Sequence, residues 1–329
     1  MKKALITGGA GFIGYHLSRN LLKNGYQVDL IDNFSRGVRD DFLLELAVQH
    51  GAKLLDFDLL DRNVLDGLDQ DYSYIYHLAA IIGVQHVLKA PYDVLTKNVD
   101  LLENIIIFGK KQKRLDRLVF TSTSEVYSGT LKHFSLTIPT PESTPLAVTD
   151  LSQNRTSYML SKIYGEALCL HSGLPITIIR PHNFYGPRMG LSHVIPELLK
   201  KAFESENSKL EVSSLNHKRT FCYIDDAVEM MRSLAEADAA IGQTFNVGNE
   251  SPEITIEELA NEIISTVGKD LTIDPKPMTP GSPLRRCPDM TKTFTVTGYK
   301  PQINLNSGLR QTFDWYKTNV FLKDGLSAV

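Results

Sequence analysis

KALITGGAGFIG, residues 3–14, gives the strongest indication of the fold. Its first five residues form an apolar run that predicts a buried β-strand, and the pattern FIGYHLSRNLLKNG (12–25) predicts a helix. Four glycines form the turn between them, in the spacings GxxGxxG and GxGxxG: Gly8, Gly9, Gly11 and Gly14. Glycines permit a tight turn and let phosphate oxygens approach the start of a helix, where free N–H groups and the helix dipole favour anions. The stretch therefore predicts a strand, a phosphate-binding turn and a helix.

The first half of the chain repeats this alternation of short apolar runs and longer helical patterns. The predicted strands are KALIT (3–7), QVDLID (27–32), AKLLDFD (52–58), YSYIYHLAA (72–80), RLVFTST (117–123) and ITIIRP (176–181). A second clear helical pattern is DVLTKNVDLLENIIIFGKKQ (93–112). Strands separated by helices imply right-handed βαβ units. We therefore predict an α/β fold with a Rossmann-type, doubly wound parallel sheet.

The second half of the chain is organised differently. Its helical stretches, 193–204 and 253–267, stand apart from the alternation. The segments 220–237 and 244–248 read as a return to the first domain. We expect a cofactor-binding domain at 1–181, with return segments at about 220–250. A smaller C-terminal α+β region, mainly 182–329, would bind the substrate.

The composition is that of an ordinary soluble protein and excludes several classes of partner. The 329 residues carry a formal net charge of −3 and a pI near 6.3, so no basic surface for nucleic acid is expected. Three cysteines, Cys169, Cys222 and Cys287, follow neither a disulfide framework nor a zinc-binding pattern. No run approaches the roughly 18 apolar residues of a membrane span, and the apolar run after Lys3 is too short for an export signal. We expect a cytoplasmic protein without a metal, nucleic-acid or membrane partner.

Carboxylates at the ends of the next strands indicate which dinucleotide binds. Asp32 ends the second predicted strand, 18 residues after Gly14, where a carboxylate binds the ribose 2′-OH. This carboxylate would repel a 2′-phosphate, so we predict NAD rather than NADP, although Arg36 nearby is compatible with NADP. Asp58 ends the third strand and is either a ligand of the adenine amine or a helix N-cap. Further cofactor contacts are expected from Phe12, Ile13, Asn33, Leu59, Leu78, Ala79 and Ala80.

A tyrosine and a lysine form the first candidate catalytic pair. Tyr158 and Lys162 are four residues apart, on one face of a predicted helix. A nearby ammonium lowers the pKa of a phenol, so Tyr158 is a candidate base near neutral pH. The stretch TSTSEVYS (121–128) offers four consecutive hydroxyls followed by Glu125, at the end of a predicted strand. It either caps the strand end or forms part of a catalytic site, and the tyrosine–lysine pair favours the catalytic interpretation.

Several motifs together resemble a known enzyme family. They are TGGAGFIG (7–14), HLAA (77–80), TSTSEVY (121–127), YMLSK (158–162), RPHNFYGPR (180–188), RTFCYIDDA (219–227) and RRCPD (285–289). The chain resembles the extended short-chain dehydrogenase/reductases, in the branch of nucleotide-sugar epimerases, dehydratases and decarboxylases. The resemblance implies an enzyme that uses NAD to oxidise C4 of a nucleotide sugar, rearranges the 4-keto sugar and returns the hydride. It also implies a homodimer formed through a four-helix bundle, to which the apolar patterns 94–108 and 158–171 would contribute.

The resemblance also implies roles for individual residues. Tyr158 would take the proton of the sugar 4-OH, and Lys162 would bind the nicotinamide ribose and lower the Tyr158 pKa. Thr123 stands where the family keeps a hydroxyl that shares that proton. Asn183 would bind the substrate diphosphate, and Arg219 would contact the nucleotide or its phosphates, which suit the fork of a guanidinium. The alternative for Arg219 is a surface ion pair.

The trio Thr123, Ser124 and Glu125 bears on the reaction that follows oxidation. The family's 4,6-dehydratases carry Thr-Asp-Glu at this place, whereas its UDP-glucuronate decarboxylases carry Thr-Ser-Glu. Arg155, in RTSY, and Arg286, in RRCPD, also resemble the decarboxylase pattern. Arg286 would donate a proton or hold a carboxylate, and a buried Glu125 with a raised pKa would handle protons at C5.

Several reactions stay open at this point. They are decarboxylation of a UDP-hexuronate, 4-epimerisation of a UDP-hexose or hexuronate, and other keto-sugar chemistry such as 5,6-elimination. Two features depart from the family pattern. Ser128 stands where the family commonly has glycine, and residues 129–150 form a long segment before the tyrosine, which favours a reshaped sugar pocket.

A simple NAD-dependent dehydrogenase with net oxidation is a further alternative. The predicted diphosphate-facing set, Asn183, Arg219 and Arg286, argues against it, because such an enzyme would not need these residues. A non-catalytic Rossmann-type sensor would lose Tyr158 or Lys162, so the presence of both residues argues against that class.

Overall fold

A parallel sheet of seven strands forms the centre of the part of the chain that the structure describes. This computed structural model describes residues 2–134, 136–148, 150–279 and 282–324. The strands within these ranges are β1 (Lys3–Thr7), β2 (Gln27–Asp32), β3 (Lys53–Asp56), β4 (Tyr74–His77), β5 (Arg117–Thr121), β6 (Ile176–Pro181), β7 (Phe184–Tyr185), β8 (Lys209–Ser213), β9 (Lys218–Arg219), β10 (Cys222–Tyr223), β11 (Gln243–Val247), β12 (Ile254–Thr255), β13 (Thr272–Lys276) and β14 (Arg285–Arg286).

Helices cover the sheet and fill the C-terminal part of the molecule. They are α1 (Phe12–Lys23), α2 (Asp41–His50), α3 (Asn63–Asp66), α4 (Val84–Lys89), α5 (Pro91–Lys110), α6 (Ser128–His133), α7 (Thr156–Leu170), α8 (Val194–Glu204), α9 (Ile224–Glu236), α10 (Ile256–Val267), α11 (Thr291–Thr297), α12 (Leu305–Tyr316) and α13 (Leu322–Asp324). Within the described ranges, none of these helices has the length and apolar character needed to cross a membrane.

The central sheet has the strand order β11-β6-β5-β4-β1-β2-β3, and its strands are parallel. From β3 to β6 this is the order of a doubly wound Rossmann sheet, with β11 added beyond β6. The direction of winding reverses between β1 and β4, and ligands of such sheets bind in the crevice at that point. The predicted fold class is confirmed.

Both faces of the sheet are buried, which explains why its strands read as nearly continuous apolar runs. Leu5 of β1 belongs to a core with Leu102 of α5 and Cys169 of α7. Its neighbour Ile6 belongs to the core on the other face, with Leu17 of α1. Successive residues of a strand point to opposite faces, so the sheet positions two helical layers and leaves its carboxyl edge for a ligand.

Small sheets and the helices α8, α10 and α12 make up most of the C-terminal part of the described chain. The small sheets are β7–β10, β8–β13 and β12-β9-β14, and the last of these places Arg286 opposite Arg219. Between these elements the chain returns to the central sheet, where α9 packs against α1 and β11 pairs with β6. The division into a cofactor domain at 1–181, with return segments at about 220–250, and a substrate region at 182–329 stays a prediction.

Three predicted strands, those of β3, β4 and β5, are longer than the observed ones because their last residues leave the sheet. β3 ends two residues before Asp58, whose carboxylate accepts the N–H of Leu60 (2.9 Å) and starts a turn that competes with strand pairing. β4 ends at His77, after which Ala79 donates its N–H to the Thr7 hydroxyl (3.2 Å). Both loops line the main cleft of the molecule.

Candidate active site

A cleft of about 860 Å³ opens at the carboxyl ends of β1, β2 and β4. The predicted cofactor-binding residues outside α7 all line it: Gly8, Gly11, Phe12, Ile13, Gly14, Asp32, Asn33, Asp58, Leu59, Leu78, Ala79 and Ala80. These residues come from the carboxyl ends of the first four strands, the loops that follow them and the first turn of α1, so the fold brings them together. Their cofactor contacts stay a prediction, which this common location supports.

The glycine-rich turn has the shape of a phosphate-binding loop. A Cβ atom on Gly14 would lie 2.3 Å from the Gly8 carbonyl oxygen, and Gly8 itself has a φ of +70°, which favours glycine. α1 begins after Gly11 without a side-chain cap and without an acidic residue in its first turn. No side chain of the turn therefore competes with an anion for the first N–H groups of α1. These features fit the pyrophosphate of NAD.

Asp32 is held in a fixed position at the end of β2. Its two carboxylate oxygens accept the N–H groups of Ala10 (3.0 Å) and Phe34 (2.9 Å). Burial raises the pKa of Asp32, and the two N–H groups oppose that shift. A carboxylate fixed in the wall of the cleft suits a ribose hydroxyl, which donates a hydrogen bond.

Asp58 lies in the wall of the same cleft and does not cap a helix. Its carboxylate accepts hydrogen bonds from the Asn33 amide (3.3 Å) and from the Leu60 N–H (2.9 Å). α3 begins only at Asn63, with Arg62 in the N-cap position. The helix-cap alternative for Asp58 is wrong, and its contact with the adenine amine stays a prediction.

Tyr158 and Lys162 lie on the same face of α7, at the carboxyl end of β5. Lys162 is buried, and its Nζ donates a hydrogen bond to the Thr121 carbonyl oxygen (2.8 Å) and lies 5.9 Å from the centre of the Tyr158 ring. Thr121 lines the cleft, so Lys162 is hydrogen-bonded to a residue of the cleft wall. Burial lowers the pKa of Lys162 to about 8.

The expected lowering of the Tyr158 pKa by Lys162 is wrong for this structure. Burial raises the pKa of the Tyr158 phenol, and the negative charge of Glu125 adds to the rise. The Thr123 hydroxyl and the charge of Arg36 act in the opposite direction. The chain alone therefore favours the neutral phenol.

The stretch TSTSEVYS both caps a strand end and faces the candidate site. After β5 the chain forms a short 3₁₀ turn, Ser124–Tyr127, in which the Thr123 hydroxyl accepts the N–H of Glu125 (3.2 Å). The same hydroxyl is near enough to Tyr158 to lower its pKa. The two interpretations of this stretch are therefore compatible.

Arg286, on β14, contacts this strand end. Its Nη2 donates to Glu125 Oε1 (2.8 Å) and its Nη1 donates to the Ser124 hydroxyl (3.4 Å). The Glu125 side chain is 44% exposed to solvent. Arg286 holds the pKa of Glu125 below its usual value against the effect of burial, and Arg155 contributes in the same direction. The prediction of a buried Glu125 with a raised pKa is wrong, because the neighbouring guanidinium stabilises the carboxylate.

The two residues that were predicted to bind the substrate phosphates differ in their surroundings. Asn183 lines the cleft, has a φ of +43° and donates its amide to the Thr220 carbonyl oxygen (2.9 Å). Arg219 is buried, and its guanidinium donates to the backbone of Pro283 (2.7 Å) and Leu284 (3.4 Å). The surface-ion-pair alternative for Arg219 is wrong, since its guanidinium steadies the segment that leads into Arg286.

Sequence reasoning missed a buried polar network beneath the tyrosine–lysine pair. Arg180 of β6 binds Glu166 of α7 through two hydrogen bonds, Nε–Oε1 (2.9 Å) and Nη2–Oε2 (2.6 Å). Ser122 donates to the same carboxylate (2.5 Å), and Arg180 also donates to the Tyr127 hydroxyl (2.7 Å). This network fixes α7 against the ends of β5 and β6. A signal was present, because Glu166 follows Lys162 by four residues and shares its helix face.

A second residue that sequence reasoning missed is Asn98 of α5. Its side chain accepts the Ile81 N–H (2.7 Å) and donates to the Ile81 carbonyl oxygen (3.2 Å) and to the Ser161 hydroxyl (3.3 Å). Asn98 thereby holds the loop after β4 in place at the cleft. No local pattern marks it, since an asparagine in a long helix is ordinary until its partners are known.

The profile of the NAD dependent epimerase/dehydratase family matches residues 4–248, which include the glycine-rich turn, the tyrosine–lysine pair and β11. The chain belongs to this family. The predictions of the family, of an enzyme and of NAD as its cofactor are confirmed.

Curated proteins and solved structures show similarity over nearly the whole chain. UDP-N-acetyl-alpha-D-glucosaminuronate decarboxylase of Bacillus cytotoxicus is 32% identical, over 96% of this chain and 98% of the relative. UDP-glucuronic acid decarboxylase 2 of Arabidopsis thaliana is 30% identical, over 99% of this chain and 71% of the relative. The structure of UDP-glucuronic acid 4-epimerase from Bacillus cereus, in complex with UDP-glucuronic acid and NAD, aligns with a TM-score of 0.81 and 27% identity over 96% of this chain and 99% of its own.

Proposed function

We propose that this enzyme decarboxylates a nucleoside diphosphate hexuronate, with UDP-glucuronate as the simplest substrate. The observation that supports this most strongly is the contact of Arg286 with Glu125 (2.8 Å) and Ser124 (3.4 Å), beside Thr123 and the tyrosine–lysine pair. The buried Nε of Arg286 has no hydrogen-bond partner among the described residues. A guanidinium with a spare donor suits a carboxylate on the sugar C6.

The proposed reaction starts at the 4-OH of the sugar. NAD, when bound, accepts a hydride from C4 and later returns it, so the overall reaction is redox-neutral. Tyr158 would act as a phenolate, which the positive charge of bound NAD would favour. It would take the proton of the 4-OH, with Thr123 sharing it, as C4 becomes a ketone. The C6 carboxylate is now that of a β-keto acid, so the C5–C6 bond breaks, CO2 leaves and the electron pair moves to the C4 oxygen. The Tyr158 and Thr123 hydroxyls stabilise that oxygen, C5 takes a proton from a water molecule, and Tyr158 gives its proton back to the C4 oxygen as the ketone is reduced.

In this proposal Glu125 is ionised and does not act as an acid. It keeps Arg286 oriented and serves as its counter-ion before the substrate binds. When the sugar carboxylate approaches Arg286, the two carboxylates repel each other. Loss of CO2 removes that repulsion, because the charge moves away to the C4 oxygen.

We further propose where the remaining parts of the substrate bind. Asn183, in the cleft, would contact the diphosphate, and Arg155 would add positive charge beside Glu125. Arg219 would act through the segment that positions Arg286. In this arrangement 1–181 holds NAD, and the region from 182 onward holds the nucleotide sugar. The uronate relatives support UDP as the nucleotide.

The second candidate is 4-epimerisation of the same uronate. The UDP-glucuronic acid 4-epimerase structure, with its TM-score of 0.81, favours it. A 4-epimerase needs no acid or base beyond the tyrosine, so an ionised Glu125 locked to Arg286 is compatible with this reaction as well.

Product analysis with UDP-glucuronate tests the proposal. We expect CO2 and a UDP-pentose in equal amounts, without net gain of absorbance at the NADH band. UDP-glucose, which lacks the carboxylate, should yield no CO2. The galacto epimer as the only product would reject decarboxylation in favour of the second candidate. A stoichiometric rise of NADH would indicate a simple dehydrogenase.

Neighbouring arginines on β14 provide a matched pair of variants for this assay. Arg286→Lys keeps the charge but loses the fork that spans Glu125 and Ser124, and we expect kcat/KM to fall at least about 100-fold. Arg285→Lys is the control, because Arg285 is exposed and pairs with Glu253 (2.7 Å). Tyr158→Phe should have no turnover. This variant is the control that the products come from this enzyme.

A further inference from the structure

Arg36, in the loop after β2, reaches across the cofactor cleft. Its Nη1 donates a hydrogen bond to the Ile82 carbonyl oxygen (2.7 Å), in the loop after β4. In the central sheet β1 lies between β2 and β4. The Arg36 side chain therefore passes over the carboxyl end of β1, where the glycine-rich turn begins.

The loop after β4 is built to accept this side chain. Gly83 has a φ of +104°, and a Cβ atom there would lie 3.6–3.7 Å from the guanidinium atoms of Arg36. Other residues rarely adopt this φ, and as a glycine, residue 83 places no side chain beside the guanidinium. Ile81, the residue before Ile82, is held in place by Asn98. The Asn98 side chain accepts the Ile81 N–H and donates to the Ile81 carbonyl oxygen. The acceptor of the Arg36 bond is thus anchored.

Most of the hydrogen-bonding capacity of Arg36 remains available to a ligand. The contact with Ile82 is its one hydrogen bond within the described ranges, whereas a guanidinium has five N–H donors. Arg36 lines the same cleft as Phe12 and Ile13 of the first turn of α1. A cation that spans a phosphate-binding turn is placed to meet the phosphates that the turn receives.

We propose that Arg36 closes over bound NAD as a strap, donates hydrogen bonds to its pyrophosphate and slows its release between turnovers. NAD enters or leaves only when the Arg36–Ile82 bond opens. Arg36 is a positioning residue in this role and does not contact the sugar, although its charge lowers the pKa of Tyr158. The inference depends on NAD as the cofactor and is independent of which sugar is converted.

The rate of NAD release from the holoenzyme tests the proposal without reference to turnover. Protein loaded with labelled NAD is mixed with excess unlabelled NAD, and the label that stays bound is followed over time. Arg36→Ala should release NAD at least about tenfold faster than the wild type, and Arg36→Lys should fall between them because it keeps the charge but loses the fork. Arg39→Ala is the matched control from the same loop, since Arg39 is paired with Asp56 (2.8 Å) and stacks on Phe34.

Each outcome decides the matter. If Arg36→Ala is purified without NAD, equilibrium titration replaces the release assay, and a Kd at least about tenfold above that of Arg39→Ala supports the strap. Release or affinity equal to that of the wild type overturns it. Loss of NADP binding with unchanged NAD release also overturns it, because Arg36 would then serve a 2′-phosphate. Equal unfolding temperatures of Arg36→Ala and Arg39→Ala would show that a difference in NAD release or affinity does not come from a difference in protein stability.

Discussion

The charge of Glu125 is set by a residue 161 positions further along the chain. Burial on its own raises the pKa of a carboxyl group, because a low-dielectric surrounding disfavours the ionised form. Arg286 reverses the balance at Glu125 through a charge-assisted hydrogen bond of 2.8 Å. At neutral pH Glu125 is therefore an anion with a fixed partner.

Lys162 is the opposite case, a cation whose charged form burial disfavours. Its pKa falls from 10.5 to about 8, since the hydrogen bond to the Thr121 carbonyl oxygen does not replace the lost water. The unfolded chain then binds more protons than the folded chain between about pH 8 and the usual lysine pKa. Stability consequently rises with pH across that window.

Replacement of Lys162 by methionine should remove this pH dependence. Below pH 8 the buried ammonium costs the folded, NAD-free protein on the order of 3 kcal/mol, and this cost disappears as the lysine loses its proton. We expect the stability of Lys162→Met relative to the wild type to be highest at pH 7 and to decline toward pH 10, as measured by urea unfolding at fixed pH values. A difference that stays constant over this range would contradict the lowered Lys162 pKa.

The long segment that follows β5 packs as a fixed element beside the candidate site. In α6 the Thr130 hydroxyl donates to the Pro145 carbonyl oxygen (2.6 Å) and accepts the Ala147 N–H (3.0 Å). Further along, the Thr140 N–H donates to the Cys287 carbonyl oxygen (2.9 Å), next to Arg286. The described part of this segment therefore connects α6 to the strand that bears Arg286.

Gly129→Ala tests whether this segment positions Arg286. A Cβ on Gly129 would lie 1.8 Å from the Ala147 carbonyl oxygen, so the backbone must move. We expect a loss of about 1–3 kcal/mol in unfolding free energy and a fall of at least about tenfold in kcat/KM, measured by urea unfolding and steady-state kinetics. Gly67→Ala is the control, because its nearest atom, the Val64 carbonyl oxygen, would lie at an ordinary 3.8 Å. Unchanged kinetics in a destabilised Gly129→Ala would limit the segment to a structural role.

At the scale of the molecule, the layer formed by α5 and α7 is a candidate surface for binding a second copy of the chain. α5 and α7 pack against each other on one face. Large apolar side chains on these helices keep much of their exposure: Tyr92 (76%), Ile107 (42%), Tyr164 (50%) and Leu170 (50%). Burying such side chains against a second copy would be favourable, which supports the predicted homodimer.

A charge on the exposed face of α7 should separate such a dimer. We expect the wild type to sediment at about twice the chain mass of 36.8 kDa and Tyr164→Glu to sediment as a monomer. Val48→Glu is the control, since Val48 is 84% exposed on α2, which packs on the other face of the sheet. A wild type that is monomeric at micromolar concentration would refute the homodimer.

Much of the fold and of the cofactor site was predictable because it depends on local spacing. The glycine-rich turn, Asp32 and the tyrosine–lysine pair are recognised within a few residues of one another or of a strand end. Boundaries were less accurate where a side chain took over from strand pairing, as Asp58 and Thr7 do. Asn98 could not be found from the sequence, because its partners lie elsewhere in the chain. Glu166 had a local signal in its spacing from Lys162, but nothing in the sequence paired it with Arg180.

The sequence by itself determined the parallel sheet, the NAD-binding turn and the family, since these follow from hydrophobic periodicity and from glycine and charge placement at fixed intervals. Only the tertiary structure decided the ionisation of Glu125, the raised pKa of Tyr158 and the course of Arg36 over the cleft. Ionisation depends on burial and on charges nearby in space. Those distances exist only after β14, the 3₁₀ turn and the loops after β2 and β4 have been brought together by folding.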